Sequence, residues 1–240
     1  MKEFLHSADH ILIGGHRGCE CDYPENSIRA MEEGIRRGAD YLEIDIQMTR
    51  DGVPVVFHDT KLEKRTALSG YVHEKEYAEL QEKIPGLCTM EEAMKWGKEN
   101  NVRFGLELKT IPFDMQNVNM RLTEKIPDIL QQNSMRNNVF VFGPDYQVLR
   151  HLKTLAGEIM IGLIVPFVPA DPVLLMKSTG ADLYLSYIWN MTPDMIRVLR
   201  ENGYLVSGAI LKDDCWVERA KESGVNMFET DHPEKYVCHR

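Results

Sequence analysis

Apolar positions along the chain fall into two patterns. Short runs rich in Ile, Val, Leu and Phe occur at 10–14 (HILIG), 41–45 (YLEID), 103–109 (RFGLELK), 139–143 (VFVFG), 160–165 (MIGLIV), 182–187 (DLYLSY), 204–210 (YLVSGAI) and 225–230 (VNMFET). Such nearly continuous runs suit parallel strands covered on both faces. Between them lie stretches of helical period, among them SIRAMEEGIRRG (27–38), with Ile28, Met31 and Ile35 on one face, TMEEAMKWGKEN (89–100), TPDMIRVLRENG (192–203) and DDCWVERAKESG (213–224). Several open on Ser, Thr or Asp and close on Gly or Asn, as helix caps require. Eight strand-then-helix repeats in 240 residues predict an α/β chain folded as a (β/α)8 TIM barrel, typically about 250 residues long. An open doubly wound sheet is the rival, but GGHRG (14–18) lacks its glycine-rich fingerprint. No linker interrupts the pattern, so residues 1–240 are expected to form a single domain.

One segment breaks the repeat. YLEIDIQMTRDGVPVVFHD (41–59) alternates apolar and polar residues on both sides of Asp51-Gly52, which predicts a β-hairpin after the second strand. A two-residue loop at Asp51-Gly52 sets Arg50 opposite Val53 and Asp45 opposite His58, with Glu43 on the same face as Asp45. A slip of one residue would undo that alignment. Leu42, Ile44 and Ile46 would then face the helix layer, sending Glu43 and Asp45 toward the barrel axis, where buried carboxylates need a partner.

Glu107 and Lys109 lie late in the next strand, at the barrel end where catalytic side chains project. Three crowded carboxylates repel one another unless a cation sits among them. Oxygen donors favour a hard divalent ion, Mg²⁺, Ca²⁺ or Mn²⁺, over zinc. His16 ends the first strand and reaches the same mouth as His58, and paired imidazoles there can exchange protons near neutral pH. Arg17 and Lys109 add fixed positive charge suited to a phosphoryl group, with ion pairing to Glu43 or Glu107 as the alternative.

The net charge of −9 and the scattering of Lys and Arg among acids argue against a nucleic-acid partner. No apolar run reaches the length of an integral membrane segment, and the N-terminus lacks a signal-peptide core, so a soluble, cytoplasmic protein is expected. Five cysteines without a CxxC pair, namely Cys19, Cys21, Cys88, Cys215 and Cys238, are read as reduced bystanders. HEKEY (73–77) lacks the second histidine of a zinc motif, and no serine-hydrolase elbow or phosphate-binding loop of the NTPases is present.

HRG (16–18), PENS (24–27), the hairpin, LELK (106–109) and TDHPE (230–234), in that order, resemble the glycerophosphodiester phosphodiesterase family, most strongly over residues 11–66. The resemblance implies a barrel that hydrolyses a small-molecule glycerophosphodiester to glycerol 3-phosphate and an alcohol with one divalent cation. By matching motif it makes His16 and His58 the acid–base pair, Glu43, Asp45 and Glu107 the metal ligands, and Arg17 and Lys109 the phosphate contacts. The family's late tryptophan-bearing run is replaced by SGAILKDD (207–214), which leaves Trp189 as a candidate substrate wall, with packing as its alternative role. The segment between His58 and LELK is short for an elaborate cap, so an open mouth is expected. Alternatives are a phospholipase D-like enzyme that stops at a cyclic phosphate, and a barrel that binds a phosphorylated ligand without turnover. Metal-dependent turnover and its product discriminate among the three.

Overall fold

The computed structural model describes residues 1–208 and 210–237, so Cys238 lies outside the described residues. In chain order the elements are α1 (Lys2–Ser7), β1 (Leu12–Gly15), α2 (Ile28–Arg36), β2 (Tyr41–Met48), β3 (Pro54–Val56), α3 (Tyr77–Lys83), α4 (Met90–Glu99), β4 (Phe104–Leu108), α5 (Pro112–Gln132), β5 (Val139–Gly143), α6 (Tyr146–Leu155), β6 (Met160–Ile164), α7 (Pro172–Thr179), β7 (Leu183–Ser186), α8 (Pro193–Glu201), β8 (Leu205–Gly208), α9 (Asp214–Ser223) and β9 (Met227–Thr230). The sheet runs β1-β9-β8-β7-β6-β5-β4-β2 with parallel neighbours, and the pairing of β1 with β2 closes it into a TIM barrel. β3 adds antiparallel to β2 outside the ring. All eight strands expected from the apolar runs are present. Among the described residues no helix is long and apolar enough to cross a membrane.

The caps explain where the helices begin. Ser27, Thr89 and Thr192 accept backbone N–H bonds at the starts of α2, α4 and α8, and α9 ends at Gly224 in a left-handed conformation. One apolar layer lies between strands and helices and includes Leu42, Ile44, Ile46, Leu106 and Leu108. The other fills the barrel with Leu12, Tyr41, Phe140, Met160, Leu183, Leu205 and Met227. Burying each such side chain contributes roughly 1.5–3 kcal/mol. Two glycines make room for the rings: a Cβ at Gly14 would meet Tyr41 at 2.5 Å, and one at Gly105 would meet Phe140 at 2.5 Å. Leu5 of α1 joins this interior cluster and closes the N-terminal end, leaving the C-terminal end for chemistry.

The hairpin register differs from the expected one. Ile46 pairs with Val56, Gln47 with Val55 and Met48 with Pro54, so Asp45 stands opposite Phe57, whose N–H donates to the Asp45 carbonyl. The loop has three residues, Arg50, Asp51 and Gly52, because Gly52 takes a left-handed φ of 81° and the Thr49 hydroxyl accepts the Val53 N–H. His58 therefore lies beyond the ladder. Residues between it and β4 build a small flank on Leu62, Val72, Leu80 and Ile84, packed against Val55 and Phe57.

Candidate active site

Seven of the predicted residues converge at the C-terminal end of the barrel. His16, Arg17, His58, Glu107, Lys109 and Glu229 line one cavity of about 480 Å³, whose opposite wall is apolar and includes Phe142, Ile164 and Leu185. Glu43 and Asp45 lie beneath its rim, each 1% exposed. One carboxylate oxygen from each of Glu43, Asp45 and Glu107 lies within 4.8 Å of the others.

The carboxylates are held from several sides. The Arg17 N–H donates to Glu43 Oε2 at 3.0 Å, whereas Glu43 Oε1 is buried without a hydrogen-bond partner. Asn26 clamps Asp45 twice: its Nδ2 donates to Oδ2 at 2.7 Å, and its Oδ1 accepts the Asp45 N–H at 3.1 Å. Lys109 Nζ lies 2.7 Å from Glu107 and 3.5 Å from Asp45. Burial, followed by the charge of Asp45, pushes the Glu43 carboxyl well above its ordinary pKa and raises Glu107 in the same sense. Burial disfavours charge on Lys109, but Asp45 and Glu107 outweigh it and raise its pKa. Hard oxygen donors that repel one another around an unpartnered buried oxygen suit a divalent cation.

Arg17 and Asn26 adopt left-handed backbone, with φ of 53° and 61°, which costs a non-glycine residue of order 1–3 kcal/mol. The strain turns the Arg17 amide toward Glu43 and the Asn26 side chain toward Asp45. The Arg17 guanidinium is engaged as well, with Nη1 3.0 Å from Glu25 and Nε 3.7 Å from Asp45.

The two imidazoles are fixed differently. His16 Nδ1 lies 2.5 Å from Asp231 Oδ1, and Arg17 Nε donates to His16 Nε2 at 3.1 Å. Since a guanidinium can only donate, Nε2 is the acceptor and the ring proton sits on Nδ1 facing Asp231. Lys212 holds the other oxygen of Asp231 at 2.6 Å. Burial would raise the Asp231 pKa, but the bonds from His16 and Lys212 win and hold it far below the usual carboxylate range.

His58 is carried by the segment leaving β3. Gln47, on the same strand face as Glu43 and Asp45, points its amide at the carbonyls of Phe57, His58 and Asp59, at 2.7, 3.3 and 3.1 Å. His58 Nδ1 lies 3.2 Å from Asp59 Oδ1, and Arg65 and Lys64 bind Asp59 in turn. Burial leads in lowering the His58 pKa. His58 thus reaches the cavity through an anchored bend, and the expected cross-strand pairing with Asp45 is replaced by that of Phe57.

Trp189 does not line the cavity. It stacks on Tyr187 with ring centroids 4.7 Å apart and borders a separate depression with Met191 and Trp216, whereas Tyr187 lines the cavity. Asn26, Gln47, Asp231 and Glu229 are functional candidates that the motif reading did not single out, although PENS and TDHPE contain two of them. Burial first, then the charges of Glu107 and Asp45, push the Glu229 carboxyl up to about 8.

The model of the glycerophosphoryl diester phosphodiesterase family matches residues 16–235. The chain belongs to this family. It is therefore a phosphodiesterase of the glycerophosphodiester class. A glycerophosphodiester phosphodiesterase of Caldanaerobacter subterraneus is 24% identical over 237 residues, covering 94% of this chain and 96% of its own length. Solved structures share the fold. A phosphodiesterase of Oleispira antarctica, determined in complex with the product sn-glycerol-3-phosphate, superposes with a TM-score of 0.86 at 21% identity, covering 93% of this chain and 94% of that one. A glycerophosphodiester phosphodiesterase of Thermotoga maritima gives a TM-score of 0.78 at 20% identity, covering 97% and 100%.

Proposed function

We propose that the chain, acting as one catalytic domain, hydrolyses glycerophosphodiesters to sn-glycerol 3-phosphate and an alcohol in a reaction that requires one divalent cation, Mg²⁺ or Ca²⁺. The observation carrying this reading is the convergence of Glu43, Asp45 and Glu107, within 4.8 Å of one another, with His16 and His58 at one cavity. The product in the Oleispira antarctica structure is the one expected here.

Glu43, Asp45 and Glu107 would hold the ion. When bound, it supplies positive charge that polarises the phosphoryl group. Arg17 and Lys109 add charge where the phosphoryl oxygens become more negative. His16, with Nδ1 turned to Asp231, offers the Nε2 lone pair and takes the proton from the attacking hydroxyl, the glyceryl group's own neighbour of the phosphate. His58 gives its proton to the alcohol oxygen as the phosphorus–oxygen bond breaks. Burial disfavours the charged form of that imidazole, and a phosphodiester anion in the cavity favours it. A cyclic phosphate results, and water opens it with the histidine roles reversed.

A second reading, phospholipase D-like action on a single-chain lipid ending at the cyclic phosphate, draws on Phe167 and Val168. They are 53% and 65% exposed and follow directly on the cavity residues Val165 and Pro166. Cytoplasmic action agrees with the free thiols of Cys19, Cys21, Cys88 and Cys215.

The test is release of glycerol 3-phosphate from glycerophosphocholine and glycerophosphoethanolamine in EDTA, Mg²⁺ and Ca²⁺, beside Glu43→Ala. Metal-dependent release that disappears in the variant supports the reading. Cleavage of lysolipid alone, with a cyclic product, replaces it with the second, and phosphate-ligand binding without turnover in either metal contradicts both.

A further inference from the structure

Glu229 is a buried carboxyl in the catalytic cavity whose bonding capacity the protein leaves largely unused. It is 5% exposed and lines the cavity with His16, Arg17, Glu107 and Lys109. Among the described residues its side chain has one hydrogen-bond partner, the Tyr41 hydroxyl, at the long distance of 3.5 Å. A carboxyl has about four acceptor positions, and leaving them empty in the interior is costly.

Strand geometry gives its depth. Glu229 and Asp231 are two residues apart at the end of β9, so Glu229 enters one side-chain layer, about 7 Å, below the group that holds His16. In the register it faces Gly14 of β1, which sends no side chain into that layer. The far wall is mainly apolar, with Phe142, Ile164 and Leu185, and its Ser186 hydroxyl already donates to the Val165 carbonyl at 2.6 Å. With Glu43, Asp45 and Glu107 assigned to the metal, a polar group directed inward from a phosphate bound at Arg17 and Lys109 meets Glu229 on the floor. The alcohol half must leave through the open mouth, so the inward half is the glyceryl group.

We propose that Glu229 binds the hydroxyls of the substrate's glyceryl group and thereby selects that half of the diester. Its role is specificity, apart from the proton transfers of His16 and His58. The proposal rests on the glycerophosphodiester reading above.

The experiment is calorimetric titration of the Mg²⁺-loaded enzyme with sn-glycerol 3-phosphate, inorganic phosphate and phosphoethanolamine, comparing wild type with Glu229→Leu, Glu229→Ala and Glu229→Gln. Wild type prefers glycerol 3-phosphate to inorganic phosphate. The Leu and Ala variants weaken glycerol 3-phosphate about tenfold or more while inorganic phosphate stays within about twofold, and Gln, which keeps donor and acceptor groups, recovers most of the loss. Metal stoichiometry is unchanged. Equal weakening of both ligands, no weakening, a loss confined to phosphoethanolamine, or loss of Mg²⁺ from the variants would overturn the proposal. Wild type without any preference for glycerol 3-phosphate would overturn the substrate reading along with it.

Discussion

Asp231 Oδ1 lies 2.5 Å from His16 Nδ1, and 215 residues of chain separate the two. The closed barrel brings them together by pairing β1 with β9. The carboxylate fixes which ring nitrogen carries the proton and which one faces the cavity. Asp231→Asn allows the wrong tautomer and is expected to lower kcat about 100-fold with little change in KM. Lys212→Met, which removes only a support of Asp231, has a much smaller effect on kcat. Steady-state kinetics on both variants check this, and a loss confined to KM would assign Asp231 to substrate binding.

Asn26 combines a strained backbone with two bonds to Asp45. Glycine relieves the strain while removing the clamp, so Asn26→Gly folds at near wild-type stability but binds Mg²⁺ about 10- to 100-fold more weakly. Asn26→Ala adds backbone strain and loses about 1–3 kcal/mol of stability as well. Metal titration and denaturant unfolding separate the two effects.

The repulsion among buried carboxylates predicts a stability that depends on metal. Mg²⁺ or Ca²⁺ at about 100 times its Kd is expected to stabilise the fold by about 2.7 kcal/mol. Glu43→Gln replaces the carboxyl whose pKa burial raises most clearly, so at pH 8 the metal-free variant melts above metal-free wild type and shows no rise on adding metal. A metal response that survives in this variant would exclude Glu43 as a ligand.

Burial lowers the His58 pKa below its unfolded value. Between those two values the unfolded chain binds a proton that the folded chain does not, so stability is intact above about pH 6.5 and falls as the solution is acidified through that window. His58→Gln flattens this part of the pH–stability curve, measured by urea unfolding of the metal-free protein from pH 8 to pH 5.

Much of the fold was legible because each barrel strand is packed on both faces and several helices announce their caps, as at Ser27, Thr89 and Thr192. The six residues of α1 carry one fully buried side chain, Leu5, too weak a pattern to reveal a barrel plug. The hairpin misled by one residue because Asp51-Gly52 suits a two-residue turn as well as the left-handed end of a three-residue one. His58 still reached the site, through Gln47, whose grip on three carbonyls no local pattern encodes. Asp231 and Glu229 escaped notice for a related reason: their meaning depends on strand closure across the whole chain. At Trp189, the short turn over Ile188–Asn190 carries the ring away from the cavity and leaves Tyr187 at its edge.

In the proposed mechanism His16 and His58 transfer protons beside a metal held by carboxylates. Its most direct test is the turnover of His16→Ala and His58→Ala on glycerophosphocholine, with Mg²⁺ affinity measured on the same preparations. Each variant is expected to bind Mg²⁺ like wild type and to lose at least about 100-fold in kcat. Near-normal turnover in either variant would contradict the mechanism.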